Sequence, residues 1–367
     1  MFNESIFISL QKSRLRNLMK KKYLIILSFF IVPLITMGQI GAGVYSFLDL
    51  PVSSRLSALG GTNVSMADGD INFVFRNPAL LTSEMDKVVG LNFSNYLADI
   101  NYGSAVYGMT FGEKNHFAFG IQYANYGNFE GYNEYDEYQG DFTANDIGIY
   151  VSYARPVAER FAIGATLKPI FSVYEKYTSI GIALDAGVSY IDQENLFSMG
   201  LVLRNMGTQI KGYYSDIEGQ NYESLPFDIQ FGATKKLKNA PFRFSLTLHN
   251  LHRWNLRYQS TNQKTTTLIQ DSDEDTDNEP GFFDKAFRHV IVGVEFIPSE
   301  KFYITAAYNH RRNRELRVDN FKSMAGFSFG AGIKLYKFQV GFGMTQFQKG
   351  LFSYQFSIVT SLSQFNL

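Results

Sequence analysis

The stretch "PFRFSLTLH", residues 241–249, sets Phe242, Phe244, Leu246 and Leu248 against Arg243, Ser245, Thr247 and His249. Successive side chains of a strand point to opposite faces, so this is a strand with one apolar and one polar side. The same period of two recurs along the chain. "YKFQVGFGMTQ" (336–346) sets Phe338, Val340, Phe342 and Met344 against Gln339, Gly341, Gly343 and Thr345, and "PFDIQFGAT" (226–234) sets Phe227, Ile229 and Phe231 against Asp228, Gln230 and Gly232. "HFAFGIQYA", "SIGIALDAGVSY", "FSMGLVLRN" and "RHVIVGVEF" repeat it.

Read this way, the sequence predicts strands over 88–96, 102–111, 116–126, 145–155, 160–174, 178–190, 196–206, 224–236, 241–251, 286–297, 301–311, 322–334, 336–346 and 350–362. Many have the roughly nine to eleven residues that cross a bilayer at a tilt. Their number is even, which lets a closed antiparallel sheet keep both termini on one side. Tight turns at 112–115, 156–159, 191–195, 237–240 and 298–300 follow even strands, and long loops at 127–144, 207–223, 252–285 and 312–321 follow odd ones. That asymmetry separates the periplasmic from the external end of bacterial outer-membrane barrels. A soluble β-sandwich would also alternate, but with a polar outward face. Here the apolar face recurs on nearly every strand. The fold class expected is all-β, a 14-stranded antiparallel outer-membrane β-barrel over residues 88–367.

Composition agrees. Aromatic residues reach 16% and charged residues only 19%, a balance suited to many half-buried strands. A net charge of zero gives no reason to expect nucleic acid, which calls for a basic excess. With no cysteine, disulfides, thiolate metal sites and a lipidated N-terminus are excluded.

Residues 1–38 read as an export signal. Met19-Lys20-Lys21-Lys22 opens a basic region, Tyr23 to Met37 is apolar, and Thr36-Met37-Gly38 precedes an expected cleavage before Gln39. Met19 is a possible true start, since a compact signal begins there. No later apolar run is long enough for a spanning helix. Between this signal and the first strand, residues 39–87 are too few to bury a core alone. Pro51 is placed to start a helix, Val52, Leu56 and Leu59 share one face, Gly60-Gly61 can end it, and a second turn from Asp70 is stopped by Pro78. The segment is expected to fold into the barrel as a small helical hatch, against small interior residues.

The run "YSFLDLPVSSRLSALGGTNVSMADGDINFVFRNPALL" (45–81) resembles the N-terminal signature of the PorV/PorQ family, relatives of FadL-type transporters. Asn77, Pro78 and Ala79, with Leu50-Pro51-Val52-Ser53 and Ala58-Leu59-Gly60-Gly61, carry the match. The resemblance implies a hatch motif inside a fourteen-stranded barrel. It also implies an outer-membrane role in type IX protein secretion, where an attachment complex joins secreted cargo to lipopolysaccharide. Partners implied are a PorZ-like surface protein, a PorU-like sortase and a PorV-like barrel.

Candidate chemistry is sparse, and neither an enzyme nor a cofactor is expected. "GFSFG" (326–330) has nucleophile-elbow spacing, yet Ser328 sits in an alternating strand rather than a strand-to-helix turn. "GQIGAG" (38–43) has no strand before it, so a nucleotide loop is not expected. The five histidines, His116, His249, His252, His289 and His310, are scattered. Asp271, Asp273, Asp275 and Asp277 alternate as in calcium loops but lack the closing glycine, so a solvated acidic loop competes with a calcium site. Arg311, Arg312, Arg314 and Arg317 could grip lipopolysaccharide phosphates or an acidic partner, or be a charged loop tip. Tyr126, Phe129, Tyr132, Tyr135, Tyr138 and Phe142 lie among carboxylates in an expected outer loop and suit partner docking or a lipid-boundary girdle. Two functions follow: a plugged scaffold holding a surface partner, or a FadL-like channel for a hydrophobic solute. Lys168, Asp185, Arg204, Asp228, Arg243 and Glu295, expected to face inward, suit hydrogen bonding to a plug better than an apolar tunnel.

Overall fold

The computed structural model describes residues 43–97, 100–215, 219–256, 281–316, 324–348 and 350–365. The expected signal (1–38), the four alternating aspartates Asp271 to Asp277 and Arg317 lie outside the described residues. The strands are β1 (Val88–Asn95), β2 (Asn101–Phe111), β3 (Asn115–Tyr132), β4 (Tyr138–Pro156), β5 (Phe161–Tyr174) and β6 (Tyr177–Asp192). Next come β7 (Phe197–Lys211), β8 (Tyr213–Ser215), β9 (Gly219–Asn221), β10 (Asp228–Lys236) and β11 (Phe242–Leu248). β12 (Val290–Ser299), β13 (Phe302–Asn309), β14 (Phe327–Leu335), β15 (Phe338–Gln348) and β16 (Leu351–Ser361) complete the set. Among the described residues the α-helices are α1 (Ser54–Ala58), α2 (Phe282–Phe287) and α3 (His310–Glu315), all short.

Fourteen of these strands form one closed antiparallel barrel, with β1 pairing both β2 and β16 across the seam from Val88↔Ser361 to Asn95↔Tyr354. Closure gives the wall's backbone polar groups partners within the sheet, the condition for a sheet to cross hydrocarbon. Faces sort as the period of two requires. On β11, Phe242, Phe244 and Leu246 face outward while Arg243, Ser245 and Thr247 are buried inside. Phe329, Phe342, Phe356 and Ile358 continue the exposed apolar band.

Every expected barrel strand is present, but the ends differ where a loop was expected. The 127–144 loop is instead a continuation of β3 and β4 into a two-stranded ribbon, from Asn128↔Thr143 to Tyr132↔Tyr138. Part of the 207–223 loop is the end of β7 and the small β8–β9 sheet. Residues 286–289 belong to α2 and the turn after it rather than to β12, and 310–311 open α3, where the Asn309 side chain caps the Arg312 amide.

The apolar core lies inside the barrel and is built mainly by residues 44–85. Phe47, Leu56, Leu59, Ile71, Phe73 and Leu80 are each essentially inaccessible, and burying such a side chain is worth about 1.5–3 kcal/mol. Ser53, rather than Pro51, starts α1, because its hydroxyl accepts from the Leu56 amide. Gly60 and Gly61, at φ +87° and +107°, end it by donating to Ser57 and Leu56 carbonyls, a left-handed stop that glycine adopts without strain. Asp70 caps a 3-10 turn, Ile71–Phe75. Pro78 does not merely stop that turn; it begins another, Pro78–Leu80, where its missing N–H leaves nothing unsatisfied.

The two ends of the described chain lie at opposite rims. The Val44 amide donates to the Ser224 carbonyl and Tyr45 bonds Ser179, both at the long-loop rim, whereas the Leu362 amide meets the Lys87 carbonyl at the short-turn rim. The sheet itself begins and ends at one rim, as an even number of strands requires, while the hatch enters at Val44 from the opposite one.

Candidate functional site in the plugged lumen

An ion cluster joins hatch to wall. Arg55 of α1 meets Glu295 of β12 at 3.0 Å, Asp68 at 2.5 Å and Asp70 at 3.4 Å. Arg243 of β11 closes the ring on Glu295 at 2.6 Å and Asp68 at 2.8 Å, and Thr305 donates to Glu295 at 3.1 Å. The Arg55 guanidinium also lies over the Tyr303 ring, 4.7 Å from its centroid. Two cations thus face three carboxylates, of which Asp70 and Glu295 are buried and Asp68 is partly exposed, and removing either cation leaves buried carboxylate charge short of a partner.

A second set of contacts fixes the entry of the hatch. Arg76 donates to the carbonyls of Leu48, Asp49 and Leu50, and Arg204 of β7 donates to the Leu48 carbonyl at 3.0 Å and pairs with Asp49 at 3.4 Å. Gln122 of β3 donates to the Phe47 carbonyl at 2.8 Å and is itself held by Tyr150. These donors satisfy carbonyls that a short 3-10 turn leaves open.

The Asn77-Pro78-Ala79 motif is wholly buried. Asn77 accepts from the Ala79 amide at 3.0 Å and donates to the Val64 carbonyl at 2.8 Å, while Ser189 of β6 donates to the Ala79 carbonyl at 2.7 Å. Wall glycines make room for it. A Cβ at Gly187 would stand 2.1 Å from the Asn77 amide oxygen, and one at Gly200 would stand 1.9 Å from the Val64 carbonyl oxygen.

All six residues expected to face inward do so. Glu295, Arg243 and Arg204 engage the hatch. Lys168 and Asp185 pair with each other at 2.5 Å and both bond Asn205, and Asp228 bonds Gln230 and the Asn250 amide. These last three stiffen the wall.

The rim residues separate. Tyr132, Tyr135 and Tyr138 are exposed on the β3–β4 ribbon, Tyr135 at 82%, and Phe129 stacks on Phe142 at 5.3 Å. Tyr126 is different: it turns inward and donates to Asp146 at 2.6 Å, in a cluster with Tyr174, Ser172 and Tyr213. Arg312 likewise points into the lumen, donating to Ser328 at 3.3 Å and the Gly60 carbonyl at 3.4 Å. Arg311 pairs with Glu315 at 2.6 Å, and Arg314 pairs with Asp284 of α2 at 2.8 Å. The three described arginines of this set therefore do not form one free cationic tip. Burial alone would raise the Asp284 carboxyl, but hydrogen bonds from Arg288 and His310 and the charges of Arg288 and Arg314 hold it at about 2. Ser328 is a buried strand residue 3.2 Å from Thr345, not a nucleophile on a turn.

Sequence reading missed Arg55, Asp68, Asp70 and Arg76. The available signal was charge at these positions within a segment expected to be enclosed, where charge is rare unless paired. It also missed Trp254, Phe282, Phe283 and Phe287, clustered beside α2.

A closed fourteen-stranded wall around an N-terminal hatch defines an outer-membrane barrel of FadL-like architecture. Among solved structures, it is similar to a TodX deltaS2S3 mutant monoaromatic hydrocarbon channel (10% identity, 84% of this chain and 96% of that one covered, TM-score 0.50). Others are the Pseudomonas putida toluene transporter TodX (11%, 83% and 95%, TM-score 0.48) and a Pseudomonas aeruginosa FadL homologue (9%, 84% and 98%, TM-score 0.48). At such identities the likeness is one of fold. No family model matches the chain, and no curated protein sequence does.

Proposed function

We propose that this barrel is a sealed outer-membrane anchor whose long-loop rim faces the cell surface and holds a protein partner. The observation that carries the reading is the occupied lumen: the hatch fills it with apolar side chains, its Arg55 meets the wall carboxylate of Glu295, and its Leu48 carbonyl accepts from the wall's Arg204. A half-open cleft of about 540 Å³ at the short-turn rim, lined by Leu80 to Glu84, His116, Arg160, Phe161 and Asp192 among others, mixes polar and apolar surface in nearly equal parts. In the setting that the resemblance of residues 45–81 implies, the anchor is a PorQ-like member of the type IX attachment complex. It would hold a PorZ-like surface protein near a PorU-like sortase and a PorV-like barrel, with Phe129, Tyr132, Tyr135 and Tyr138 as the docking arm. Its role is binding rather than catalysis.

A second reading is passage of a hydrophobic solute past the hatch. The likeness to the TodX mutant supports it more than the secretion role, since that protein is described as a monoaromatic hydrocarbon channel. Two measurements on one preparation separate the readings. Gentle extraction followed by mass spectrometry should recover PorZ-like or PorU-like proteins, and vesicles bearing the pure barrel should take up a monoaromatic hydrocarbon no faster than empty ones. Uptake that saturates with solute, without co-purifying partners, would establish the channel instead.

A further inference from the structure

The cleft at the short-turn rim is built by hatch and wall together. Leu80 and Leu81 of the hatch and Ala162 of β5 line it with apolar surface, and at about 540 Å³ it falls within the roughly 300–1,000 Å³ of ordinary ligand sites. His116 of β3 lines it too. The residue is only 5% exposed; its Nδ1 lies 3.1 Å from the Thr110 hydroxyl, and its Nε2 has no partner among the described residues. A nearly enclosed imidazole thus keeps one nitrogen for whatever occupies the cleft.

Charge gives the occupant its sign. Glu84, Glu113, Glu159, Asp192 and Glu194 line the cleft, with Arg160 as the permanent cation of the lining. Arg160 is spent on Asp192 at 2.9 Å and Glu194 at 3.3 Å, whereas Glu84, Glu113 and Glu159 are exposed and have no ion pair among the described residues. The neighbouring Lys114 reduces this surplus without cancelling it. Across the rim the sign reverses: residues 235–238, 300–301 and 334–337 carry Lys235, Lys236, Lys238, Lys301, Lys334 and Lys337 against Glu300. Strand order sorts the two halves, because the turns β2–β3, β4–β5 and β6–β7 follow one another around the wall, as do β10–β11, β12–β13 and β14–β15. A cation is therefore drawn to one half of this rim and repelled from the other.

The spacing of the carboxylates narrows the occupant further. Those without an ion pair sit on three separate segments, the hatch and two turns, so a chain bearing several cations reaches them at once where a small amine meets one. A second copy of the barrel does not fit, since copies in one membrane turn this rim the same way. We propose that the cleft receives a basic segment of a periplasmic protein, with one aliphatic side chain on Leu80, Leu81 and Ala162 and flanking lysines or arginines on Glu84, Glu113 and Glu159. The site rests on the outer-membrane reading of the fold, which turns the short-turn rim to the periplasm. It is independent of whether the long-loop rim anchors a partner or the lumen passes a solute.

The mature full-length protein would be placed in phosphatidylcholine nanodiscs, which leave both rims open, and titrated with dansyl-labelled Lys-Lys-Leu-Lys-Lys, read by anisotropy. Binding should saturate at one peptide per barrel, and empty discs should give none. Glu84→Gln, Glu113→Gln and Glu159→Gln combined should weaken it by roughly tenfold or more, since exposed ion pairs are individually weak and three act together. Ala162→Phe fills the floor without altering a charge and should weaken binding as much. Exchanging the peptide's leucine for serine should do likewise on the native protein. Heat-modifiable migration on gels verifies that the variants are folded, and Tyr135→Ser at the opposite rim should bind as the native protein does. Absence of saturable binding would overturn the proposal, as would a loss with Tyr135→Ser. So would equal binding of the serine peptide, or a loss confined to the glutamine variant, which marks diffuse attraction to the rim rather than seating in the cleft. None of these results bears on partner recovery at the long-loop rim, so failure here and failure of the anchor reading remain distinct.

Discussion

Arg55→Met is the sharpest perturbation of the plug. The substitution keeps an unbranched side chain of similar reach but leaves Asp68, Asp70 and Glu295 with Arg243 as the cation of the cluster. Removing one partner from a buried ion network costs about 3–5 kcal/mol, because the remaining charges stay desolvated. At roughly 1.4 kcal/mol per factor of ten, the hatch should open between about two and three and a half powers of ten more often. The protein has no cysteine, so one introduced thiol is an unambiguous reporter. Ser57→Cys is nearly isosteric, and the residue is fully buried between α1 and β15, where its hydroxyl lies 2.8 Å from that of Thr345. In the otherwise native protein a water-soluble maleimide should label it very slowly; with Arg55→Met the labelling rate should rise by at least a hundredfold or so. Equal labelling rates in the two proteins, with the barrel intact by heat-modifiable migration, would refute the claim that this cluster holds the hatch.

Three other outcomes follow from the same geometry. Gly187→Ala places a methyl group where the Asn77 amide oxygen now stands, and should lower stability by about 1–3 kcal/mol, read as a lower temperature for the gel-migration shift. Tyr132→Ser, Tyr135→Ser and Tyr138→Ser combined should leave that temperature unchanged, because these rings are exposed, yet abolish recovery of the surface partner from membranes. The tie between α2 and α3 should resist acid. Asp284 has its carboxyl lowered in the folded state from 3.8 to about 2, so its contribution is present in full above the unfolded value and fades as pH falls through the folded one. Trp254 emission should therefore hold steady from neutral pH to about 4 and change below about 3; a transition near pH 6 would exclude this carboxylate as the cause.

The wall was legible because its signal is repeated. Each strand gives a weak alternation, but Phe242, Phe338, Phe356 and their neighbours must all face lipid for the pattern to hold around a closed cylinder, and they do. Helix-like spacing in the hatch was legible for the same reason, in Val52, Leu56 and Leu59. Long-range choices were not. Whether Tyr126 joins the exposed ring of Tyr135 or turns to Asp146 depends on a β-bulge between Asn125 and Asn128, which shifts register and so exchanges faces. Arg312 differs from Arg311 only by a helical step of about 100°, enough to send one into the bore and the other outward. The pairing of Arg55 with Glu295 joins residues far apart in sequence, and periodicity carries no information about such partners.

The passage of residues 44–85 through the bore constrains how the molecule is made. A ring already sealed at the β1–β16 seam would have to draw a folded segment, arginines included, lengthwise through a passage that the segment itself fills. Winding the strands about a hatch already seated inside meets no such obstacle. Shortening residues 44–85 should therefore slow closure of the β1–β16 seam, read as delayed acquisition of heat-modifiable migration during refolding.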